Sequence, residues 1–303
     1  MIPRSKCESF ARVLFAACFL GSASGSAAAA LRCVVSIPPL ASIVEEIGGS
    51  RVVVSVLVNA GQDPHTFEPT PGQIRTLINA DLLFTVGLPF ESVIVPRVQG
   101  PDDRPRLCDT STGSTLIEAN HVHQTGVHGR VEIDRHIWLS PKNLESMAIS
   151  IREALTTADP AGARHYDLGN VQFIEKLKYV HRKNLELLSP LEGQAFTVFH
   201  PSFGYFADAY TLKQRAVEAE GKPPTARELA RLISRSKASE QRVIFVQPQF
   251  DRKHVSTIAA AIGAEVRTLD PLARDVLANL EIMGREISRA LSDRAQPMGK
   301  NYE

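Results

Sequence analysis

The chain lacks the marks of a nucleic-acid binder, a membrane-spanning protein or a disulfide-stapled one. Its 34 Lys and Arg stand against 33 Asp and Glu, a net charge of +1 over 303 residues. That leaves no concentrated positive field for phosphates, so nucleic acid is excluded as a partner. Long apolar runs are missing too: VLFAACFL, Val13 to Leu20, is far below the roughly 20 residues that cross a bilayer. Four cysteines make no disulfide framework in a chain of this length. There is neither an H-E-x-x-H helix nor a G-x-S-x-G elbow, the local signatures of zinc proteases and serine hydrolases.

What is present begins with a leader pattern. Arg4, Lys6 and Arg12 precede the apolar run, and the small residues from Gly21 to Ala30 follow it. Residues 1–30 read as a secretory signal peptide cut near Ala29 or Ala30, which places the mature protein in a periplasm or outside the cell. A lipid anchor on Cys18 is disfavoured, because Arg12 leaves only five apolar residues before it. Cys33 and Cys108 would survive cleavage. They sit in separate strand-like segments and read as small buried hydrophobes rather than a bridged pair.

From RCVVSI onward, short apolar runs alternate with helical patterns, and the alternation resumes at QAFTVFH after a gap. This predicts an α/β fold of two Rossmann-like lobes with parallel sheets, since continuously apolar strands are covered on both faces. The expected division is an N-terminal lobe over 31–158, a linker over 159–189 and a C-terminal lobe over 190–303. Ala161 to Leu188 contains no proline and carries Val171, Ile174, Leu177, Leu185 and Leu188 at helical spacing. It predicts one long rigid helix of roughly 40 Å joining the lobes. Thr225 and Glu228 form a T-x-x-E capping box for a further helix.

Among nine histidines, three occupy strand-to-helix edges: His65 after a strand in DPH, His136 just after a loop in DRHIWLSP and His200 at the end of AFTVFH. Asp270 ends EVRTLD in the same way. The separations, 136 − 65 = 71, 200 − 136 = 64 and 270 − 200 = 70, assign each to a different β-α unit, two per lobe. Carboxyl ends of parallel strands face one crevice, so three imidazoles and a carboxylate there would make a four-coordinate site. Nitrogen-rich ligation favours zinc over magnesium or calcium. Asp63 and Asp134 each precede a histidine by two residues; they either orient the rings from behind or cap their own turns. His165, His181 and His254 lie in helical patterns and read as ordinary side chains.

The runs SIPPLASIVEEIGG, LVNAGQDPHTFEPTPGQIRTLINADLLFTVGLPFE, DRHIWLSPKN, FHPSFGYFADAYTL, FVQPQFDRKHVSTIAAAIGAEV and LDPLA occur in an order that resembles the zinc- and manganese-specific solute-binding proteins of bacterial ABC importers, over essentially the whole mature chain. The resemblance implies metal ligation by His65, His136, His200 and Asp270. It also implies a membrane permease with a cytoplasmic ATPase as partner, a monomer, and binding without catalysis. Histidine at position 200, where manganese-type members tend to carry a carboxylate, points to the zinc branch. A manganese or iron receptor of the same family is the alternative, and an exported zinc hydrolase a more distant one. The chain departs from the family pattern at Pro201 and Ser202, and at Gln247 where glutamate is frequent, which implies a modest retuning of affinity by residues around the ligands. In place of the long histidine-rich loop of zinc-type members there is only HVHQTGVH, whose His121, His123 and His128 would at most gather metal weakly at the cleft mouth.

Overall fold

The computed structural model describes residues 29–100, 104–118, 133–218, 227, 230 and 243–292. The leader, the loop carrying His121, His123 and His128, the Thr225/Glu228 capping box and the side chain of His254 lie outside them. The first half runs β1 (Leu31–Val35), α1 (Pro38–Gly48), β2 (Val52–Val56), α2 (Pro71–Ile78), β3 (Leu82–Thr85), α3 (Pro89–Val98), β4 (Arg106–Asp109) and α4 (Pro141–Ala158). A single helix, α5 (Ala163–Leu188), leads to the second half: β5 (Ala195–Val198), α6 (Gly204–Ala209), β6 (Lys213–Ala216), β7 (Val243–Val246), α7 (Arg252–Ile262), β8 (Glu265–Thr268) and α8 (Val276–Ser292).

Each half contains a four-stranded sheet, ordered β2-β1-β3-β4 and β6-β5-β7-β8, and all the strand pairings are parallel. The two orders are the same topology used twice. In each, the first strand has its successor on one side and the next strand on the other, which opens a crevice at its carboxyl end. The inner strands β3, β5 and β7 are buried along their whole length, as their unbroken apolar sequences require. Local chemistry sets the helix starts. Thr70 and Gln73 form a reciprocal capping box with Pro71 at the first turn of α2. Ser140 caps α4 ahead of Pro141, and Asp251 caps α7.

The helix α5 has 26 residues, about 39 Å at 1.5 Å per residue. Its buried face differs in part from the predicted one: Val171 and Leu185 are 58% and 42% exposed, and the inward residues are Tyr166, Gly169, Phe173, Leu177, Val180, Asn184 and Leu188. Two residues that an apolar count passes over explain the difference. A Cβ on Gly169 would lie 2.6 Å from the Ile47 carbonyl oxygen, so glycine alone lets α1 approach this closely. Asn184 is 1% exposed and donates to the Leu280 carbonyl at 2.8 Å and to Tyr210 Oη at 3.3 Å, a paired polar group in a close helix crossing.

The two halves share much of their core. One continuous apolar cluster runs from β1 and α1 through α5 to β5 and α8, and a smaller second cluster joins Phe199, Ile244 and Val246 to α7. The physical reason is that α8 packs against both α5 and α1, so the last helix seals the halves together. Cys33 on β1 and Cys108 on β4 are free thiols on strands that flank β3.

Candidate metal centre

His65 stands in the loop between β2 and α2. Pro64 fixes the backbone before it, and Asp63 Oδ1 accepts the His65 backbone N–H at 2.9 Å. The Asp63 carboxylate therefore caps a turn, and no hydrogen bond joins it to the imidazole. Asp134 does both jobs that the sequence left open: its Oδ1 lies 2.7 Å from His136 Nδ1 and accepts the His136 backbone N–H at 2.9 Å. This carboxylate is 7% exposed. It holds the proton on Nδ1 and leaves Nε2 as the free donor.

His136 is also held from the opposite half. Tyr205 Oη donates to the Asp134 carbonyl at 2.8 Å and accepts from the Ile117 N–H at 3.2 Å. Two residues beyond His136, Trp138 Nε1 donates to the Pro271 carbonyl at 2.7 Å.

His200 follows β5. Gln247, which follows β7, grips its main chain: Oε1 accepts the His200 N–H at 3.3 Å, and Nε2 donates to the His200 carbonyl at 2.6 Å and to Ser202 Oγ at 3.2 Å. A glutamate could accept but not donate, so the amide performs a task that the common family residue could not perform in its ionised form. Glu218, after β6, places Oε1 3.4 Å from His200 Nδ1. His200 Nε2 is buried without a hydrogen-bond partner.

These placements converge. The ligand atoms of His65, His136 and His200 all lie within 4.8 Å of one another. Their ring centroids are 6.0, 5.7 and 5.2 Å apart and their planes are inclined by 60 to 70°, so the rings surround a point instead of stacking. Zinc bound at ~2.0–2.1 Å holds its nitrogens roughly 3.4 Å apart in a tetrahedron, a modest contraction from this arrangement. The cleft is lined besides by Leu88, Trp138, Ser202, Gln249, Phe250, Pro271 and Leu272, and no Lys or Arg is among the described lining residues. The His65 pKa is pushed below the ordinary imidazole value, first by loss of water around the ring and then by repulsion from His136 and His200; Asp63 and Glu218 pull the other way.

Asp270 is not in the three-residue group. Its Oδ1 accepts from Gln249 Nε2 at 3.1 Å and from the Leu272 N–H at 2.9 Å, although its neighbours Pro271 and Leu272 reach the cleft. His165 and His181 stay apart on α5, bonded to the Gly48 carbonyl and to Tyr210 Oη. Sequence reasoning missed Glu218, Tyr205 and Trp138. Trp138 carries a local signal, two residues from a predicted ligand. Glu218 and Tyr205 carry none, because Glu218 meets His200 only through the folding of the second half and Tyr205 meets Asp134 and Ile117 only where the two halves dock.

Comparison with known proteins gives consistent results. A family model described as "ZnuA: Zinc-uptake complex component A periplasmic" matches residues 33–287. The high-affinity zinc uptake system protein ZnuA of Bacillus subtilis (strain 168) is 28% identical over 272 residues, 86% of this chain and 85% of that one. The zinc-binding lipoprotein AdcA of Streptococcus pneumoniae is 25% identical over 80% of this chain; the chain spans only 50% of that relative's length. A crystal structure of ZnuA superposes with a TM-score of 0.80 at 37% identity, covering 86% of this chain and 99% of that chain. A zinc-bound 138-173 deletion mutant of ZnuA does so with a TM-score of 0.80 at 38% identity, covering 88% and 100%.

Proposed function

The chain belongs to the family of the periplasmic zinc-uptake component A, and from that premise we propose that it captures a zinc ion outside the cytoplasm and delivers it to an ABC importer. The observation that carries this reading is the convergence of His65, His136 and His200 on one point with backing carboxylates behind two of the rings. Neutral imidazoles are borderline donors suited to zinc, while the carboxylate and carbonyl oxygens that suit manganese are not what this cluster offers. Zinc is the cargo, and the chain's own chemistry is to hold three lone pairs in register and let them go.

In this reading Asp270 supplies the fourth donor from the loop after β8. Two hydrogen bonds fall on Oδ1, which leaves Oδ2 as the oxygen we assign to the ion. A closed shell of this kind leaves no position for an activated water, so the protein binds without catalysis. The partners we assign are a permease and its cytoplasmic ATPase. The working form we assign is a periplasmic monomer whose lobes, residues 31–158 and 190–303, are joined by a linker over 159–189. Metal analysis of the protein purified without added metal, followed by competition between zinc and manganese, tests the reading. Stoichiometric zinc that excess manganese fails to displace is the expected result. Preferential manganese loading would refute it.

A further inference from the structure

We propose that Glu218 is a positioning residue for His200: its buried carboxylate holds the proton on Nδ1 and so presents Nε2 to the ion. This rests on the reading of His200 as a zinc ligand. Glu218 is 5% exposed, and its backbone N–H donates to the Phe199 carbonyl at 3.0 Å, which pins it beside the end of β5. Among the described residues its side-chain partner is His200 Nδ1.

Two buried polar atoms lie on either side of this one imidazole without partners: Glu218 Oε2 on the near side and His200 Nε2 on the far side. An unpartnered buried oxygen and nitrogen are both costly in the metal-free protein, and a cation bound at Nε2 relieves both. It takes the nitrogen lone pair, and it brings positive charge toward a carboxylate that has too few donors. An ionised carboxylate only accepts, so the ring nitrogen facing it carries the proton and the lone pair is left on Nε2. Gln247 cannot do this, because it bonds the His200 main chain and leaves the ring free to turn. The two residues divide the work: Gln247 fixes where His200 stands, and Glu218 fixes which nitrogen it offers.

The contact is longer than its counterpart on His136, 3.4 Å against 2.7 Å. His200 is thus the more loosely oriented of the two backed rings, and its tautomer is the more sensitive to loss of the carboxylate.

The test uses the mature chain and three proteins: wild type, Glu218→Gln and His200→Ala. Long-range 15N–1H correlation spectra of the metal-free wild type are expected to show His200 protonated on Nδ1. Glu218→Gln, whose amide can turn either its oxygen or its NH2 to Nδ1, no longer fixes the tautomer; it is expected to populate the Nε2-protonated form and to lower zinc affinity by about 10–100-fold. Its metal-free melting temperature should be unchanged, because the amide fills the same space and can keep a hydrogen bond to the ring. A merely structural role would lower that temperature and leave the tautomer alone. Finding wild-type His200 protonated on Nε2 overturns the proposal without reference to any variant. Zinc affinity within twofold of wild type in Glu218→Gln, while His200→Ala loses binding, overturns it and leaves the zinc site standing. Normal binding by His200→Ala overturns the zinc-site reading itself.

Discussion

Asp63 and Asp134 stand in the same local pattern, two residues before a histidine, yet the structure gives them different work, and substitution at the two sites should separate that work quantitatively. Asparagine keeps an acceptor oxygen, so it preserves the turn bond to the histidine N–H at 2.9 Å in both places. At Asp134 it removes the charge from the 2.7 Å bond to His136 Nδ1. A hydrogen bond to a charged group contributes about 1.5–3 kcal/mol and a neutral one about 0.5–1.5 kcal/mol. The difference, ~1–1.5 kcal/mol, corresponds to a zinc affinity roughly 5–13-fold weaker for Asp134→Asn. Asp63→Asn should stay within about twofold, because no ring hydrogen bond is lost. Alanine at 134 leaves the ring N–H of His136 without its buried acceptor, a cost of about 1–3 kcal/mol, and alanine at 63 loses only a turn bond. Competition titration against a chromophoric chelator at fixed pH and salt reads these numbers directly. Equal losses for Asp63→Asn and Asp134→Asn would refute the reasoning, as would an Asp134→Asn variant that binds like wild type.

Gly169→Ala should destabilise the protein by roughly 1–3 kcal/mol in denaturant unfolding, because the new Cβ meets the Ile47 backbone at 2.6–3.0 Å. A gain of about 1 kcal/mol, the usual sign for this change inside a helix, would show that α1 does not pack as described. For His65 the folded-state pKa lies below the unfolded value near 6.5. The unfolded chain therefore binds more protons below about pH 6.5, and the contribution of this group to metal-free stability is full above that pH and falls beneath it. Unfolding midpoints measured from pH 7.5 down to 5, with His65→Gln showing a shallower decline, check the sign. Zinc capture measured by calorimetry should weaken over the same range, since ligation needs neutral imidazoles. Burial pushes the Cys33 and Cys108 thiols up to about 12, so neither should react with an alkylating reagent at pH 8 until the protein is unfolded.

How much of this was legible in the sequence depended on whether an interaction was local. The two sheets were visible because parallel strands buried on both faces announce themselves as apolar runs such as VIFV of β7. His65 and His200 were visible because strand ends in such sheets share an edge, whereas His136 stands 136 − 109 = 27 residues past the end of β4 and was marked by the resemblance of DRHIWLSPKN. The inward face of α5 was predicted in part: Leu177 and Leu188 face inward as expected, but Gly169 and Asn184 extend that face by closeness and hydrogen bonding, which an apolar stripe does not register. Glu218 was out of reach for a different reason. It stands 218 − 200 = 18 residues from His200, and only the pairing of β6 alongside β5 brings the two together.

The joint between the halves bears on the proposed capture of an ion. Trp138 ties the His136 segment to Pro271, and Tyr205 ties the same segment to α6. Arg274 reaches Glu45 at 2.5 Å, and the Val276 N–H meets Ser42 Oγ at 3.4 Å. With α5 continuous between the halves and one apolar cluster running through both, a wide hinge opening would break buried indole and phenol hydrogen bonds as well as core packing. Smaller adjustments cost less. His65 is the exposed member of the three, carried on a loop outside either sheet, and its ring is held by no hydrogen bond from Asp63. His136, by contrast, is fixed from both halves, and the His200 main chain is fixed by Gln247. If the three histidines hold the ion as proposed, zinc should therefore slow amide exchange more in the His65 loop than around the two held histidines; equal protection of all three segments would refute this.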